Sequence, residues 1–296
     1  MPRPRAERAF PPALKRFGQH FLTDHAVLER IADALAPASS DRVVEIGPGR
    51  GALTEVLRSK VGELVLVELD RALAQMQRER YADDPHVTVV ERDVLDVPLG
   101  EIGGDDFLLV GNVPYYITTP ILFHTLAGVL PCRAVFLVQR EVAERITAAP
   151  GNKEYGALTV NLHALASVEH LFEVPPGAFR PPPKVYSAVV RMVPLASPLV
   201  ARDERAAFRG FVQALFSQRR KQLATSLRAL VRQRDGAEAD DAAEAARRAL
   251  DAAGIDPTTR PERLAPEDFV RLFRASRDAG ALGDARLTRP VDEGER

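Results

Sequence analysis

Three stretches of the chain carry residue types that belong to chemistry before they belong to packing. The first is Glu45-Ile46-Gly47-Pro48-Gly49-Arg50-Gly51, which ends a β-branched run and leads into the helix-like Ala52 to Leu57. Glycines at a strand-to-helix turn let backbone approach a ligand closely, as in nucleotide-binding α/β proteins. The second is Glu68, twenty-one residues after Gly47 (68 − 47), at the end of the next β-branched run. An acid there accepts hydrogen bonds from both hydroxyls of a ribose. The spacing Gly47, Gly49, Gly51 departs from the GxGxxG of nicotinamide dehydrogenases, and Arg92-Asp93-Val94 closes a third run with a carboxylate to which an adenine amine could donate. Together these residues favour S-adenosylmethionine over a dinucleotide.

The third stretch, Asn112-Val113-Pro114-Tyr115, ends a fourth run and is the most specific. An exocyclic adenine amine is a poor nucleophile because its lone pair is delocalised into the ring. A catalyst must accept its N–H bonds while the nitrogen becomes pyramidal. The Asn112 side-chain oxygen and a nearby backbone carbonyl supply two acceptors, Pro114 stiffens the turn, and Tyr115 offers a face for an extruded base. A strong base is unnecessary, because the methyl donor is a sulfonium and the proton can leave after attack. The plain reading of the same residues is a strand-ending turn with a capping Asn and a buried Tyr; the cofactor loop upstream favours the chemical one.

The elements that must hold these residues alternate. Strands are expected at Arg42 to Ile46, Glu63 to Glu68, Val87 to Glu91, Phe107 to Gly111 and Arg133 to Val138, with helices between them, the mark of a parallel sheet covered on both faces. Val168 to Val174 and Tyr186 to Met192 flank PPGAFRPPPK and suggest a hairpin closing the sheet. Asp24 is an N-cap candidate before the periodic Val27 to Leu35. After Pro198 the composition turns to Ala, Arg, Leu and acids at helical spacing, with helices expected at 204–216, 219–232, 239–253 and 266–275. The expected organisation is thus a basic tail and leading helix (1–40), an α/β domain (41–197), a helical domain (198–277) and a frayed tail (278–296).

Composition narrows the class. The chain has 296 residues, 40 Lys and Arg against 41 Asp and Glu, and a single cysteine, Cys132. One cysteine excludes an internal disulfide and a CxxC metal cluster, so no metal is expected; Cys132, before an apolar run, is expected to be a small buried hydrophobe. No apolar stretch approaches the roughly 20 residues of a membrane span, and the N-terminus lacks the apolar centre of a signal peptide, so a cytoplasmic protein is expected. A net charge of −1 gives no global basic field, and any nucleic-acid surface must be local. Two basic clusters exist, Arg3, Arg5, Arg8, Lys15 and Arg16, and Arg219-Arg220-Lys221. Each alone reads most simply as a solvated tail or helix face.

The chain resembles the KsgA class of ribosomal RNA adenine dimethyltransferases. The resemblance is carried by Phe17-Gly18-Gln19-His20-Phe21-Leu22, EIGPGRGALT, Val67-Glu68-Leu69-Asp70, Arg92-Asp93, NVPYYITTPIL, FLVQREVAERITAAPGNKEYGALTV, FRPPPKVYSAVVRM and FSQRRKQL, in family order. It implies a Rossmann-like class I methyltransferase sheet with a small C-terminal all-helical domain. By motif, Gln19, His20 and Leu22 would border the methionine end of S-adenosylmethionine and Gly47 its amino-acid portion. Glu68 would take the ribose hydroxyls, Asp93 and Val94 the adenine, and Asn112 would face the methyl group. Tyr115 and Phe179 would sandwich the target adenine, although from the residues alone Phe179 reads as packing beneath the proline loop. From the residues themselves, Arg219, Arg220 and Lys221 open an expected helix where positive charge opposes the helix dipole, and with the N-terminal arginines they would hold RNA.

The implied reaction is dimethylation of the N6 amine of two adjacent adenines in the 3′-terminal hairpin of small-subunit ribosomal RNA, in the subunit or its precursor, by a monomer. The family commonly has Asn at His20, Asn at Tyr116 and Asp at Tyr186, and the latter two positions receive no role. Two alternatives remain open: the Erm class, which methylates large-subunit ribosomal RNA, and a non-catalytic ribosome-assembly or transcription factor on the same fold.

Overall fold

A computed structural model describes residues 11, 19–235 and 238–280. Arg3, Arg5, Arg8, Lys15, Arg16, Phe17, Gly18 and the tail from 281 lie outside the described residues. In chain order the elements are β1 (Phe21–Leu22), α1 (His25–Leu35), β2 (Arg42–Ile46), α2 (Ala52–Arg58), β3 (Glu63–Glu68), α3 (Arg71–Arg80), β4 (Val87–Glu91), α4 (Leu99–Gly103), β5 (Phe107–Asn112), α5 (Thr118–Thr125), β6 (Arg133–Gln139) and α6 (Arg140–Ile146). They continue with α7 (Ala157–His163), β7 (Ala166–Val174), β8 (Phe179–Arg180), β9 (Ser187–Pro194), α8 (Arg205–Ser217), α9 (Leu223–Asp235), α10 (Ala239–Ala253) and α11 (Pro266–Asp278).

The chain divides into two compact units, one of residues 1–143 with Glu169–Val193, the other of Glu144–Val168 with everything from Pro194. The first holds a seven-stranded sheet in the order β4-β3-β2-β5-β6-β9-β7. β2 pairs in parallel with β3 and β5, β3 with β4, and β5 with β6, whereas β9 runs antiparallel to β6 from Ala134↔Met192 to Gln139↔Ser187. Strands covered on both faces read as near-continuous apolar runs, and Val43, Val44 and Ile46 of β2 and Leu64 to Val67 of β3 are buried accordingly. Strand order reverses between β2 and β5, and open α/β sheets bind ligands outside the carboxyl ends of the strands at such a point. α1 starts where expected: the Asp24 carboxylate accepts from the amides of Ala26 and Val27.

Two expectations about this unit need correction. PPGAFRPPPK is not merely a loop, because β8 pairs antiparallel with β1 through Phe21↔Arg180 and Leu22↔Phe179. Cys132 is exposed, its thiol facing the Asp106 carboxylate, and partial burial with that nearby charge pushes the thiol pKa up.

The second unit is helical. Phe208, Phe211, Val212 and Leu215 of α8 and Phe269, Leu272 and Phe273 of α11 lie in its core, with Phe208 and Phe273 edge to face at 5.6 Å. Residues 144–168, expected within the α/β domain, group with these helices. The Tyr155 hydroxyl donates to the Leu264 carbonyl (2.9 Å), and the Gly151 amide donates to that of Glu262 (2.6 Å). Local periodicity cannot reveal such distant partners. α9 also begins later than expected, at Leu223 instead of Arg219. The Leu223 and Ala224 amides donate to the carbonyls of Thr259 and Pro257, which fixes the helix start from far along the chain.

Candidate active site

The carboxyl ends of β2, β3, β4 and β5 enclose a cavity of about 300 Å³, at the lower end of ordinary ligand sites. Gln19, His20, Leu22, Gly47, Glu68, Asp93, Val94, Asn112 and Tyr115 all line it. Nine of the residues named from the sequence are thus brought together; Phe179, Arg219, Arg220 and Lys221 are not among its walls.

The turn after β2 needs its glycines. Gly47, Gly49 and Gly51 have φ of +65°, +56° and +81°, in the left-handed region that costs a residue with a Cβ. A Cβ at Gly51 would also stand 2.8 Å from Nε2 of Gln77. The Gly49 peptide is held from both sides: its amide donates to Glu68 Oε2 (3.0 Å), and its carbonyl accepts from Gln77 Nε2 (2.8 Å). Glu68 Oε1 accepts from the Asp70 amide (2.9 Å). Each Glu68 oxygen therefore keeps acceptor capacity for a ribose hydroxyl. Burial pushes the Glu68 pKa up, while the amides of Asp70 and Gly49 oppose that rise.

Asp93 caps the turn after β4 by accepting from the Leu95 amide through Oδ1 (2.9 Å), which leaves Oδ2 for an amine donor. Gln19 is steered by its bond to Asp70 Oδ2 (3.1 Å). These acceptors, the open glycine turn and the Asp93 carboxylate fit an adenosyl group.

At the end of β5 the Asn112 amide nitrogen donates to the His20 carbonyl (3.0 Å). The donor side of that amide is thereby engaged, and its oxygen is the acceptor left for a substrate. The Tyr115 hydroxyl and Ser187 Oγ share a 2.6 Å hydrogen bond, and the Tyr115 ring stacks on His20 at 5.8 Å and 26°. Burial raises the Tyr115 pKa. His20 is anchored in turn by donating from Nδ1 to the Pro181 carbonyl (2.9 Å). The imidazole expected at the cofactor's methionine end is therefore also part of the aromatic wall.

Phe179 is corrected. Its side chain is 0% exposed, within the cluster that includes Leu22, Val27, Ile31 and Ala178, and it presents no face to a base. Pairing β8 with β1 turns the ring into the core, the packing reading that its place before the prolines suggested. The basic triplet is corrected too: Arg219, Arg220 and Lys221 lie in the turn before α9, not in its first helical turn. Arg219 pairs with Glu262 (3.2 Å) and donates to the Asn152 carbonyl (3.3 Å), whereas Arg220 and Lys221 are exposed.

Two residues beside the glycine turn were not singled out from the sequence. Gln77 is fully buried on α3 one helical step from Leu73 and one from Tyr81, so a polar residue on an apolar i, i+4 line was the available signal. Glu45 is 2% exposed between the buried Val44 and Ile46 of β2 and lines the cavity; Thr54 Oγ1 donates to its Oε2 (2.8 Å). Burial, opposed by the Thr54 bond and aided by the Glu68 charge, pushes its pKa to about 8.

A mostly parallel seven-stranded sheet with a glycine turn after β2, a buried acid ending β3 and an Asn-x-Pro-Tyr turn at the end of β5 has the architecture of a class I methyltransferase. Residues 13–273 match the family described as ribosomal RNA adenine dimethylase, and the chain belongs to that family. The methyl donor of the family is S-adenosylmethionine. The chain is 45% identical over 271 residues to "Ribosomal RNA small subunit methyltransferase A" of Bordetella petrii, covering 91% of this chain and 97% of that one. It is 45% identical over 264 residues to the protein of the same name from Acinetobacter baylyi, covering 88% and 91%. Among solved structures, a dimethyladenosine transferase from Plasmodium falciparum superposes with a TM-score of 0.77 at 25% identity, covering 88% of this chain and 98% of that one. The 23S rRNA methyltransferase ErmE superposes at 0.62 and 29% identity, covering 86% and 98%.

Proposed function

We propose that the protein dimethylates the N6 amines of two adjacent adenines in the 3′-terminal hairpin of small-subunit ribosomal RNA, within the subunit or its precursor. The observation that carries this reading is the Asn112 amide at the end of β5, tied by its nitrogen to the carbonyl of His20, the residue on whose ring Tyr115 stacks. Relatives named for the small subunit are 45% identical over nine-tenths of the chain, against 29% for ErmE, which supports the small subunit over the large. The intact set Gly47, Glu68, Asp93, Asn112 and Tyr115 supports an enzyme over a non-catalytic factor.

In this reading Glu68 holds the ribose, Asp93 and Val94 the adenine, and Gln19, Leu22 and Gly47 the methionine portion of the donor. S-adenosylmethionine supplies a methyl group on a cationic sulfur, to which the S–C electron pair returns as the amine lone pair forms the new N–C bond. Asn112 Oδ1 and a backbone carbonyl of the turn accept the amine N–H bonds and favour the pyramidal nitrogen. Tyr115, braced by Ser187 and His20, gives the extruded adenine its stacking face. The proton leaves to solvent after the new bond forms. Arg220 and Lys221 hold RNA phosphates on the helical unit, with Arg219 tied to Glu262.

The test is incubation with labelled S-adenosylmethionine and each undermethylated ribosomal subunit, followed by mapping of the labelled nucleotides. Label confined to paired adenines near the 3′ end of the small-subunit RNA is expected. Label in the large subunit, or in neither, refutes the proposal.

A further inference from the structure

The helical unit carries its charges in two different ways. Residues 218–232, which run from the turn before α9 along most of that helix, hold Arg219, Arg220, Lys221, Arg228 and Arg232 and no acid, in a chain with 40 Lys and Arg against 41 Asp and Glu. Residues 239–253 of α10 hold Asp240, Asp241, Glu244 and Asp251 against Arg247 and Arg248. The ion pairs follow the same division. Arg247 pairs with Glu244 (2.7 Å) and Asp251 (3.1 Å), and Arg271 of α11 pairs with Asp268 (2.7 Å). Beside α9, Arg219 pairs with Glu262, but Arg220, Lys221, Arg228 and Arg232 have no ion-pair partner among the described residues.

The packing of α9 turns these charges to one side. Leu223, Leu227, Leu230 and Val231 are buried, whereas Arg228 and Arg232, four residues apart, are exposed on the opposite face. The exposed Arg220 and Lys221 stand at the N-terminal end of the helix. From that end to Arg232 is about 14 Å at about 1.5 Å per residue, and a nucleic-acid strand presents a phosphate about every 3.4 Å of its axis. Helix stability does not account for Arg228, which lies more than one turn from either end of α9, beyond the reach of the helix dipole. An ion-paired arginine must share its charge with its acid when it meets a phosphate; these arginines give up only water.

We propose that the solvent face of α9, through Arg228 and Arg232 continuing from Arg220 and Lys221, is a track for the RNA phosphate backbone, and that the ion-paired faces of α10 and α11 are not. The track rests on the proposed function for the identity of the RNA it follows. Phosphate contacts position a protein on its nucleic acid and carry no sequence information, so the track sets the register of the helical unit and leaves the choice of adenine to the cavity of the first unit.

The experiment measures binding of the full chain to undermethylated small subunits and to protein-free small-subunit RNA across a salt series. Arg228→Ala with Arg232→Ala should flatten the slope of log K against log salt by about 1.4 to 1.8 on both, since each phosphate contact contributes about 0.7 on a single strand and about 0.9 on a duplex. Arg228→Lys with Arg232→Lys should keep the wild-type slope, because lysine meets a phosphate as a point charge. Arg247→Ala with Arg271→Ala should also keep it. Urea midpoints of the α9 variants should match the wild type, as the replaced side chains are exposed. Parallel slopes for the wild type and the α9 Ala pair, or an equal flattening by the α10 and α11 pair, overturns the proposal. So does a flattening on whole subunits that vanishes on protein-free RNA, which would assign the face to an acidic protein surface. Failure of the proposed function has a different signature, since the slope difference on the RNA would persist while the wild type placed no label in the small subunit.

Discussion

Replacing Glu45 by Gln keeps the shape of a side chain that is 2% exposed in β2 and removes its ability to ionise. The folded protein holds the Glu45 proton up to about pH 8, against an ordinary value of 4.5, chiefly because burial disfavours the charged form. The folded state therefore binds more protons than the unfolded one between these limits. Glu45 costs nothing below about pH 4.5, and its contribution becomes progressively destabilising until the pH passes about 8. The interval from 4.5 to about 8 corresponds, at about 1.36 kcal/mol per pH unit, to about 5 kcal/mol at most. Part of that rise comes from the Glu68 charge and part of the burial is relieved at the cavity wall, so about 2 to 4 kcal/mol is expected. The amide oxygen of the variant can still accept from Thr54 Oγ1. In urea unfolding of cofactor-free protein, Glu45→Gln should match the wild type near pH 5 and exceed it by that amount at pH 9. Parallel stability curves across this range would mean that Glu45 is not held protonated, and the reasoning would fail.

Three further outcomes are expected. Asn112→Ala should lower kcat at least 100-fold while shifting the S-adenosylmethionine Kd less than about threefold, because an acceptor serving the changing amine acts mainly in the transition state; near-normal single-turnover rates would refute this. Gln77→Leu should weaken S-adenosylmethionine binding by about 0.5 to 1.5 kcal/mol, read by calorimetry, because the Gly49 carbonyl loses its partner and the amide bonded to Glu68 loses its brace; an unchanged Kd would make Gln77 a packing residue only. In a salt series of subunit binding, Arg220→Ala with Lys221→Ala should flatten the slope of log K against log salt by up to about 2, whereas Arg219→Ala should chiefly lower stability through the lost Glu262 pair; parallel salt slopes would remove the turn from the RNA surface.

How far the sequence discloses this molecule depends on the range of the interactions that fix each part. β2 and β3 have the bounds expected from their β-branched runs, because burial on both faces writes itself into consecutive residues, and the half-buried edge strand β4 keeps its expected bounds through its Val-Thr-Val-Val run. The walls of the cavity were legible because Glu68 and Asn112 end strands and Gly47 and Asp93 lie in the turns just after strands, and the carboxyl ends of parallel strands converge without any need to know the loops. What local pattern could not carry was decided by pairing at a distance. Phe179 has the residue type to stack on a base, and only its register opposite Leu22 turns the ring into the core. Arg219 has the spacing of a helix opening, yet carbonyls at Pro257 and Thr259 set the start at Leu223 and place the triplet in a turn.

That correction alters the argument for RNA binding. Positive charge at a helix start opposes the helix dipole and would have called for a functional explanation. In a turn the charges carry no such conflict, and Arg219 has a structural partner in Glu262. The case for phosphate contact therefore rests on the exposure of Arg220 and Lys221, and on the near-neutral whole that leaves local clusters to do any holding. The stacked rings of His20 and Tyr115 give an extruded adenine a surface at the end of β5. Such a surface favours a substrate whose bases are already unpaired, because the cost of unstacking is least there.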